Sequence, residues 1–105
     1  LATENVFLLA NSNTIELRGL RNVFTDEYIN TANVVATLHT SKGVSVVTPD
    51  AITLHYVEES DGCYRALLAP DTPLEEGKRY KLHIVAQGEG LTATWEQLIQ
   101  AKVRR

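Results

Sequence analysis

Three histidines, His39, His55 and His83, are the first residues whose type suggests chemistry. Imidazoles joined by a carboxylate can hold zinc, which takes four ligands in a tetrahedral arrangement. The spacing of these three follows no ligand motif, and each lies on the face opposite the main apolar series of its segment. If the segments carrying His55 and His83 are sheet neighbours, the two come within cross-strand reach, and close imidazoles titrate near neutral pH. Solvated surface histidines account for the pattern more simply. Cys63 is the single thiol. A nucleophilic thiolate needs a depressed pKa and usually a nearby base. Arg65 shares its face, but no histidine is close in sequence. The carboxylate pairs Glu58-Glu59 and Glu75-Glu76 sit in turns. A glycosidase holds two carboxylates across a cleft, ~5–10 Å apart, and adjacent turn-borne acids do not converge that way. The loop Glu58-Glu59-Ser60-Asp61 offers oxygen ligands for calcium, but solubilising charge is the better reading of it. No catalytic constellation results. The chain is expected to be non-enzymatic and to hold neither cofactor nor metal.

Aromatic side chains are few: Phe7, Phe24, Tyr28, Tyr56, Tyr64, Tyr80 and Trp95. Tyr56, Tyr64 and Tyr80 alternate with apolar partners and read as core. Trp95 either packs the core or anchors an interface or sugar platform. Val35, Val57, Leu67 and Val85 all fall opposite the main apolar series of their segments. A two-layer β fold needs only one apolar face per sheet. These four residues, Trp95 and the basic end Arg104 and Arg105 are therefore candidate interface residues.

The segments that must position these residues share one period. Tyr80, Leu82, Ile84 and Ala86 alternate with Lys81, His83 and Val85, which is the pattern of a strand with one buried face. Val34, Ala36 and Leu38 alternate with Val35, Thr37 and His39; Ile52, Leu54 and Tyr56 with Thr53, His55 and Val57; Tyr64, Ala66 and Leu68 with Cys63, Arg65 and Leu67. Ile15 and Leu17 alternate with Glu16 and Arg18, and Gly19 reads as a bulge or a point of close backbone approach. Val44 to Val47 continues as a strand after the turn Ser41-Lys42-Gly43, and Thr48-Pro49-Asp50 breaks it. Val6 to Ala10 is a short apolar run, either an edge strand or an arm. Residues 21–33 form a crossover, with Thr25-Asp26-Glu27 capping a helical turn or lying in a plain loop, and Val23, Phe24, Tyr28 and Ile29 anchoring it to the core. Asp61-Gly62 and Gln87-Gly88-Glu89-Gly90 mark turns. Leu91, Ala93 and Trp95 follow. The adjacency of Leu98 and Ile99 then predicts a bulge before a terminal run, with a short helix over Gln97 to Val103 as the alternative.

At 105 residues with 44% hydrophobic content, the chain is expected to be one domain, all-β, a two-sheet sandwich of about seven strands. Residues 1–10 would be an edge strand or arm and residues 97–105 a strand extension or tail. A net charge of -3 gives no general electrostatic reason to bind nucleic acid. No apolar run approaches the ~18 residues of a membrane span. No signal-peptide pattern is present in this numbering.

Leu74-x-x-Gly77-x-x-Tyr80 followed by alternating apolar residues resembles the entry to a late strand of fibronectin type III domains. The resemblance implies that Leu74 caps the core, Gly77 turns the chain and Tyr80 makes a corner hydrogen bond. Asp61-Gly62-Cys63-Tyr64 looks like the tyrosine corner of immunoglobulin domains. Both Tyr64 and Tyr80 cannot hold the same corner. Gly19-Leu20-Arg21, residues 30–38, Ser60-Asp61-Gly62-Cys63-Tyr64-Arg65 and the Leu74–Tyr80 motif together are similar to small immunoglobulin-like proteins of tailed bacteriophages and prophages.

That similarity implies a structural or adaptor domain that assembles with copies of itself or with another virion protein, at a head–tail junction, tail or capsid. The expected location is the virion or the cytoplasm of the producing bacterium. A carbohydrate-binding or adhesion module is the alternative, and it requires two exposed aromatics beside polar donors. A small histidine-based enzyme or metal protein is the third reading, and it requires two of the histidines to converge with a carboxylate.

Overall fold

Period-two alternation becomes strands throughout the computed structural model, which describes residues 6–9, 11–40, 42–45, 51–70 and 72–103. The strands are β1 (Val6–Leu8), β2 (Asn13–Leu17), β3 (Asn33–Thr40), β4 (Ile52–Tyr56), β5 (Tyr64–Leu68), β6 (Arg79–Gly88) and β7 (Leu91–Lys102). The described residues are all-β and contain no helix. The strand order is β1-β7-β6-β3-β4-β5-β2, a single seven-stranded sheet nearly closed as a barrel.

β3 and β6 lie at the centre because their alternation is the longest and cleanest. Their antiparallel register sets Val34 against Ala86, Ala36 against Ile84 and Leu38 against Leu82, all buried. Burial of one such leucine or isoleucine side chain contributes ~1.5–3 kcal/mol. Phe7, Ile15, Leu17, Leu20, Ile29, Leu54, Tyr64, Leu68, Tyr80, Ile99 and Ala101 join them in the core, with Leu74, Tyr56 and Trp95 packed against it. β4 turns the corner of the sheet. Its first half pairs with β3 through Leu54, Thr53 and Ile52, and its second half with β5 through His55 and Tyr56.

Among the described residues, the Asn13 side chain bridges the two ends of the sheet. Asn13, at the start of β2, accepts a hydrogen bond from the Leu8 N–H at 2.9 Å and donates to the Leu8 carbonyl at 3.1 Å. It does for β1 what a neighbouring strand backbone would do. β1 is an edge strand, parallel to β7 through Val6–Gln100, Phe7–Ala101 and Leu8–Lys102.

The β6–β7 hairpin closes on Glu89 and Gly90, both at positive φ (53° and 76°), as the tightest two-residue turns require. Its register then runs unbroken from Gly88–Leu91 to Arg79–Gln100. This corrects the expected bulge after Glu96, and the alternative helix over Gln97 to Val103 is a strand as far as Lys102. Leu98 and Ile99 are adjacent because Leu98 faces outward, exposed, while Gln97 takes an inward position.

The crossover also differs from expectation. Val23 and Phe24 are 81% and 82% exposed and Tyr28 is exposed, so of the four expected anchors only Ile29 is buried. Polar contacts hold the crossover instead. The Tyr64 hydroxyl donates to the Ile29 carbonyl at 2.7 Å and accepts from the Ala32 N–H at 3.0 Å. The Gly62 N–H donates to Asn30 Oδ1, and the Leu20 N–H donates to the Gly62 carbonyl, both at 2.9 Å. A Cβ on Gly62 would lie 2.5 Å from the Leu20 carbonyl oxygen, whereas one on Gly19 would meet nothing within 4 Å. The close backbone approach therefore belongs to Gly62, not Gly19. Of the expected Val44–Val47 strand, the described part is an isolated bridge between His39 and Ser45; residues 46–50 lie outside the described residues.

Candidate functional site

Asn22 builds the most distinctive surface of the described residues. Its side chain is buried, and its Oδ1 accepts from the N–H groups of Phe24 (2.9 Å) and Thr25 (3.3 Å). Asparagine closes such turns because its short amide imitates a backbone carbonyl. The Asn22 N–H donates to the Glu27 carbonyl and its own carbonyl accepts from the Asp26 N–H, both at 2.8 Å. Its Nδ2 reaches Glu89 in the β6–β7 turn at 2.9 Å. Asp26 adopts φ 59°, a left-handed conformation that aspartate tolerates. At the loop base the Arg21 guanidinium lies 4.5 Å from the Tyr28 ring centroid, donates to the Tyr28 hydroxyl at 2.6 Å and pairs with Asp26 at 3.2 Å.

Residues 22–27 thus close on themselves through polar groups, and Val23 and Phe24 project from the tip. A braced loop loses little conformational entropy when it meets a partner. Beneath it a pocket of ≈ 110 Å³ opens between the crossover and the start of β7, lined by Leu20, Val23, Ile29, Ala86, Leu91 and Ala93 among others.

A second polar cluster lies on the outer face of β2 and β5. Glu16 is largely buried and accepts from Arg18 Nε and, at 2.9 Å, from Arg65 Nε. The Arg18 hydrogen bond is the main cause holding its carboxyl below the usual glutamate value, helped by Arg65 and opposed by burial. At the far end of the molecule an open groove is lined by Lys42, Val44, Lys78, Arg79 and Tyr80; Lys78 there pairs with Glu75.

The residues singled out from the sequence are distributed as follows. Tyr80, in the Leu74–Gly77–Tyr80 motif, accepts a hydrogen bond from the Glu75 N–H at 2.8 Å, while Tyr64 holds the crossover. The two tyrosines therefore occupy separate sites. Gly77 adopts φ 80° and its N–H donates to the Ala101 carbonyl at 2.8 Å, and Leu74 is half-buried against the core. Val35 and Val85 are direct cross-strand partners on the outer face of β3 and β6, flanked by Thr53 and Thr94. Leu67 is 65% exposed on β5, and Val57 follows β4, so the expected apolar patch is divided between different strands. Trp95 is half-buried on β7. Arg104 and Arg105 lie outside the described residues.

His83 faces Thr37 and Glu96, His39 faces Lys81 and His55 faces Arg65. β3 lies between the strands of His55 and His83, so these two are not cross-strand neighbours. Among the described residues no three of His, Cys, Asp and Glu gather to hold a metal. The Cys63 thiol is half-buried, 3.8 Å from the Asp61 carbonyl. Glu58 and Glu59 are exposed in their loop.

The sequence reading missed the outward display of Val23 and Phe24 and the burial of Glu16. The available signal for the first was Asn22 followed by Thr25-Asp26, an amide able to close a turn before a residue that accepts positive φ. For the second there was none, because Arg65 reaches Glu16 from a strand remote in sequence. Comparison with protein-family models, with curated proteins and with solved structures gives no match.

Proposed function

We propose that this chain is a non-enzymatic structural or adaptor domain whose work is protein–protein assembly. The observation that carries the reading is the pair Val23 and Phe24, exposed at the tip of a loop whose backbone Asn22 has already closed. Large apolar side chains held out on an ordered loop cost solubility, and rigid aromatics are enriched among residues that dominate binding energy. The fold type we assign is a two-layer immunoglobulin-like or fibronectin type III-like sandwich. Support comes from β4, which divides its pairing between a β3 layer and a β5 layer, and from the Tyr80–Glu75 corner bond. From the resemblance to small phage proteins we further propose a virion component, at a head–tail junction, tail or capsid.

The test is site-specific photocrosslinking in the producing cells and in virions purified from them. Benzoylphenylalanine at position 24 is expected to give one discrete protein adduct, and the same probe at Glu58 is expected to give none. No adduct at position 24, or the same adducts from both positions, overturns the reading.

One observation favours the carbohydrate alternative. Phe24 and Tyr28 are both exposed on the crossover, beside Arg21 and Asp26. The Tyr28 ring is already engaged by Arg21, and Phe24 is flanked by aliphatic Val23, so protein docking fits the surface better. A glycan array probed with the purified chain decides between them: glycan binding lost in Phe24→Ala would replace the assembly reading.

A further inference from the structure

Three loops meet at one end of the molecule. β2, β4 and β6 end there and β3, β5 and β7 begin there, because neighbours in that series are antiparallel. Hydrogen bonds join the loops to one another: Leu20 to Gly62, Gly62 to Asn30 and Asn22 to Glu89. The surface they form has one sign of charge. Asp26 and Glu27 in the crossover, Glu58, Glu59 and Asp61 before β5, and Glu89 in the β6–β7 turn are all exposed. Residues 19–32, 57–63 and 89–90 contain one cation, Arg21, and it is paired with Asp26. The cations on the adjoining outer face, Arg18 and Arg65, are paired with Glu16. Of the chain's 13 acidic and 10 basic residues, six and one lie in these loops. That leaves seven acidic against nine basic elsewhere, so this end stands at -5 and the rest of the chain at +2.

The turns themselves do not call for these acids. Among the described residues, the non-glycine residues at positive φ are Asp26 (59°), Glu59 (62°) and Glu89 (53°), one in each loop. Glycine or asparagine adopts that conformation more readily, and a glutamate there costs ~1 kcal/mol. Glu89 has a use in the fold, since it accepts from Asn22. The Glu59 side chain forms no ion pair among the described residues. Gathering like charge also opposes folding, and a one-signed field has its use in steering a partner of the opposite sign.

The residues outside the described ones do not reach this end. Val6 pairs with Gln100, nine residues along β7 from Leu91, a distance of ~30 Å. The five residues of the sequence before Val6 span at most ~18 Å. Residues 46–50 run between the His39–Ser45 bridge and the Ala36–Ile52 pair, and positions 10, 41, 71 and 104–105 adjoin the opposite ends of the strands.

We propose that this end docks a basic surface of another protein, with Val23 and Phe24 seated in an apolar recess bordered by Lys or Arg. Val23 and Phe24 supply the exposed apolar contact, and the six acids supply the charge complementarity that selects the partner. Glu58, Glu59 and Asp61 act through the field, which needs no contact. The same field repels nucleic acid and anionic lipid surfaces. Set against itself across a two-fold axis, the end would oppose six acids with six, so the occupant is a different protein. The inference rests on the reading of Val23 and Phe24 as a docking tip and adds the chemistry of what they meet.

The probe is benzoylphenylalanine at position 24 in the producing cells, with the attachment site mapped by mass spectrometry. The attached peptide is expected to come from another protein and to carry Lys or Arg beside an apolar residue. A second chain combines Glu27→Gln, Glu58→Gln, Glu59→Gln and Asp61→Asn. These side chains are exposed and form no ion pair among the described residues, so the urea midpoint is expected to hold. Adduct yield at short irradiation is expected to fall about tenfold in this variant. It is expected to fall by a similar factor for the unneutralised chain in lysate raised to about 0.5 M salt, a readout that does not depend on the variant. An attached peptide without cations, or a yield that either the substitutions or salt leaves unchanged, overturns the basic partner and leaves the assembly reading standing. An adduct of twice the 11.6 kDa chain mass overturns the assignment to another protein. No adduct from the unneutralised chain overturns both readings.

Discussion

Tyr64 joins β5 to the crossover through one hydroxyl. It donates to Ile29 and accepts from Ala32, so the crossover is fixed on a strand that follows it by more than thirty residues in sequence. Tyr64→Phe leaves a buried carbonyl and an N–H without their partner. The expected loss is ~2–3 kcal/mol of unfolding free energy, measured by urea titration. Burial also raises the Tyr64 pKa above its ordinary value. The neutral phenol is the form the fold favours, so its contribution is complete below the unfolded pKa and is lost as pH rises through the folded one. Glu16 behaves in the opposite sense. Arg18 first, and Arg65 with it, lower its pKa. Its contribution is present above the unfolded glutamate value and is lost as pH falls through the folded value. Glu16→Gln is therefore expected to flatten the acid limb of the stability–pH curve while costing about 1 kcal/mol at neutral pH, since both arginines are solvent-exposed.

At the scale of elements, Gly62 is where the crossover meets the loop before β5. Both Gly62 and Gly19 have positive φ, at 68° and 69°, but only Gly62 is crowded by backbone. Gly19→Ala is expected to cost ~1 kcal/mol for the left-handed conformation, and Gly62→Ala ~3 kcal/mol, because overpacking adds to it. Denaturation midpoints of the two variants give the difference directly. That contact was not legible in the sequence, since it depends on two loops separated by about forty residues. The strands were legible because each buries one face, so Val34-Ala36-Leu38 and Leu82-Ile84-Ala86 carry their own period. The same rule misled at Leu98 and Ile99, where hydropathy alone assigned both inward and forced an imagined bulge. It misled again at Val23 and Phe24, because apolar type was read as burial while Asn22 had already decided the backbone path. For the candidate surface, then, residue type was visible and direction was not.

At the scale of the whole molecule, the long β6–β7 hairpin sets the shape. Twelve residues of strand extend about 40 Å, close to the longest dimension of 43 Å. The sheet is nearly closed as a barrel, and among the described residues Asn13 supplies a link between β1 and β2. The clasp is local, because β1 meets β7 through three residue pairs whereas the β3–β6 core is paired along its whole length. Asn13→Ala is expected to release β1 before the rest of the fold. Hydrogen exchange should then accelerate at Leu9, whose N–H is bonded to the Lys102 carbonyl, while Ile84 and Val34 keep their protection. With ~1–3 kcal/mol at stake in the lost amide contacts, the Leu9 exchange rate should rise by one to two orders of magnitude. Equal acceleration at Ile84 would show instead that the near-closure of the sheet and its core open as one unit, and that the Asn13 contact belongs to the cooperative fold, not to its edge.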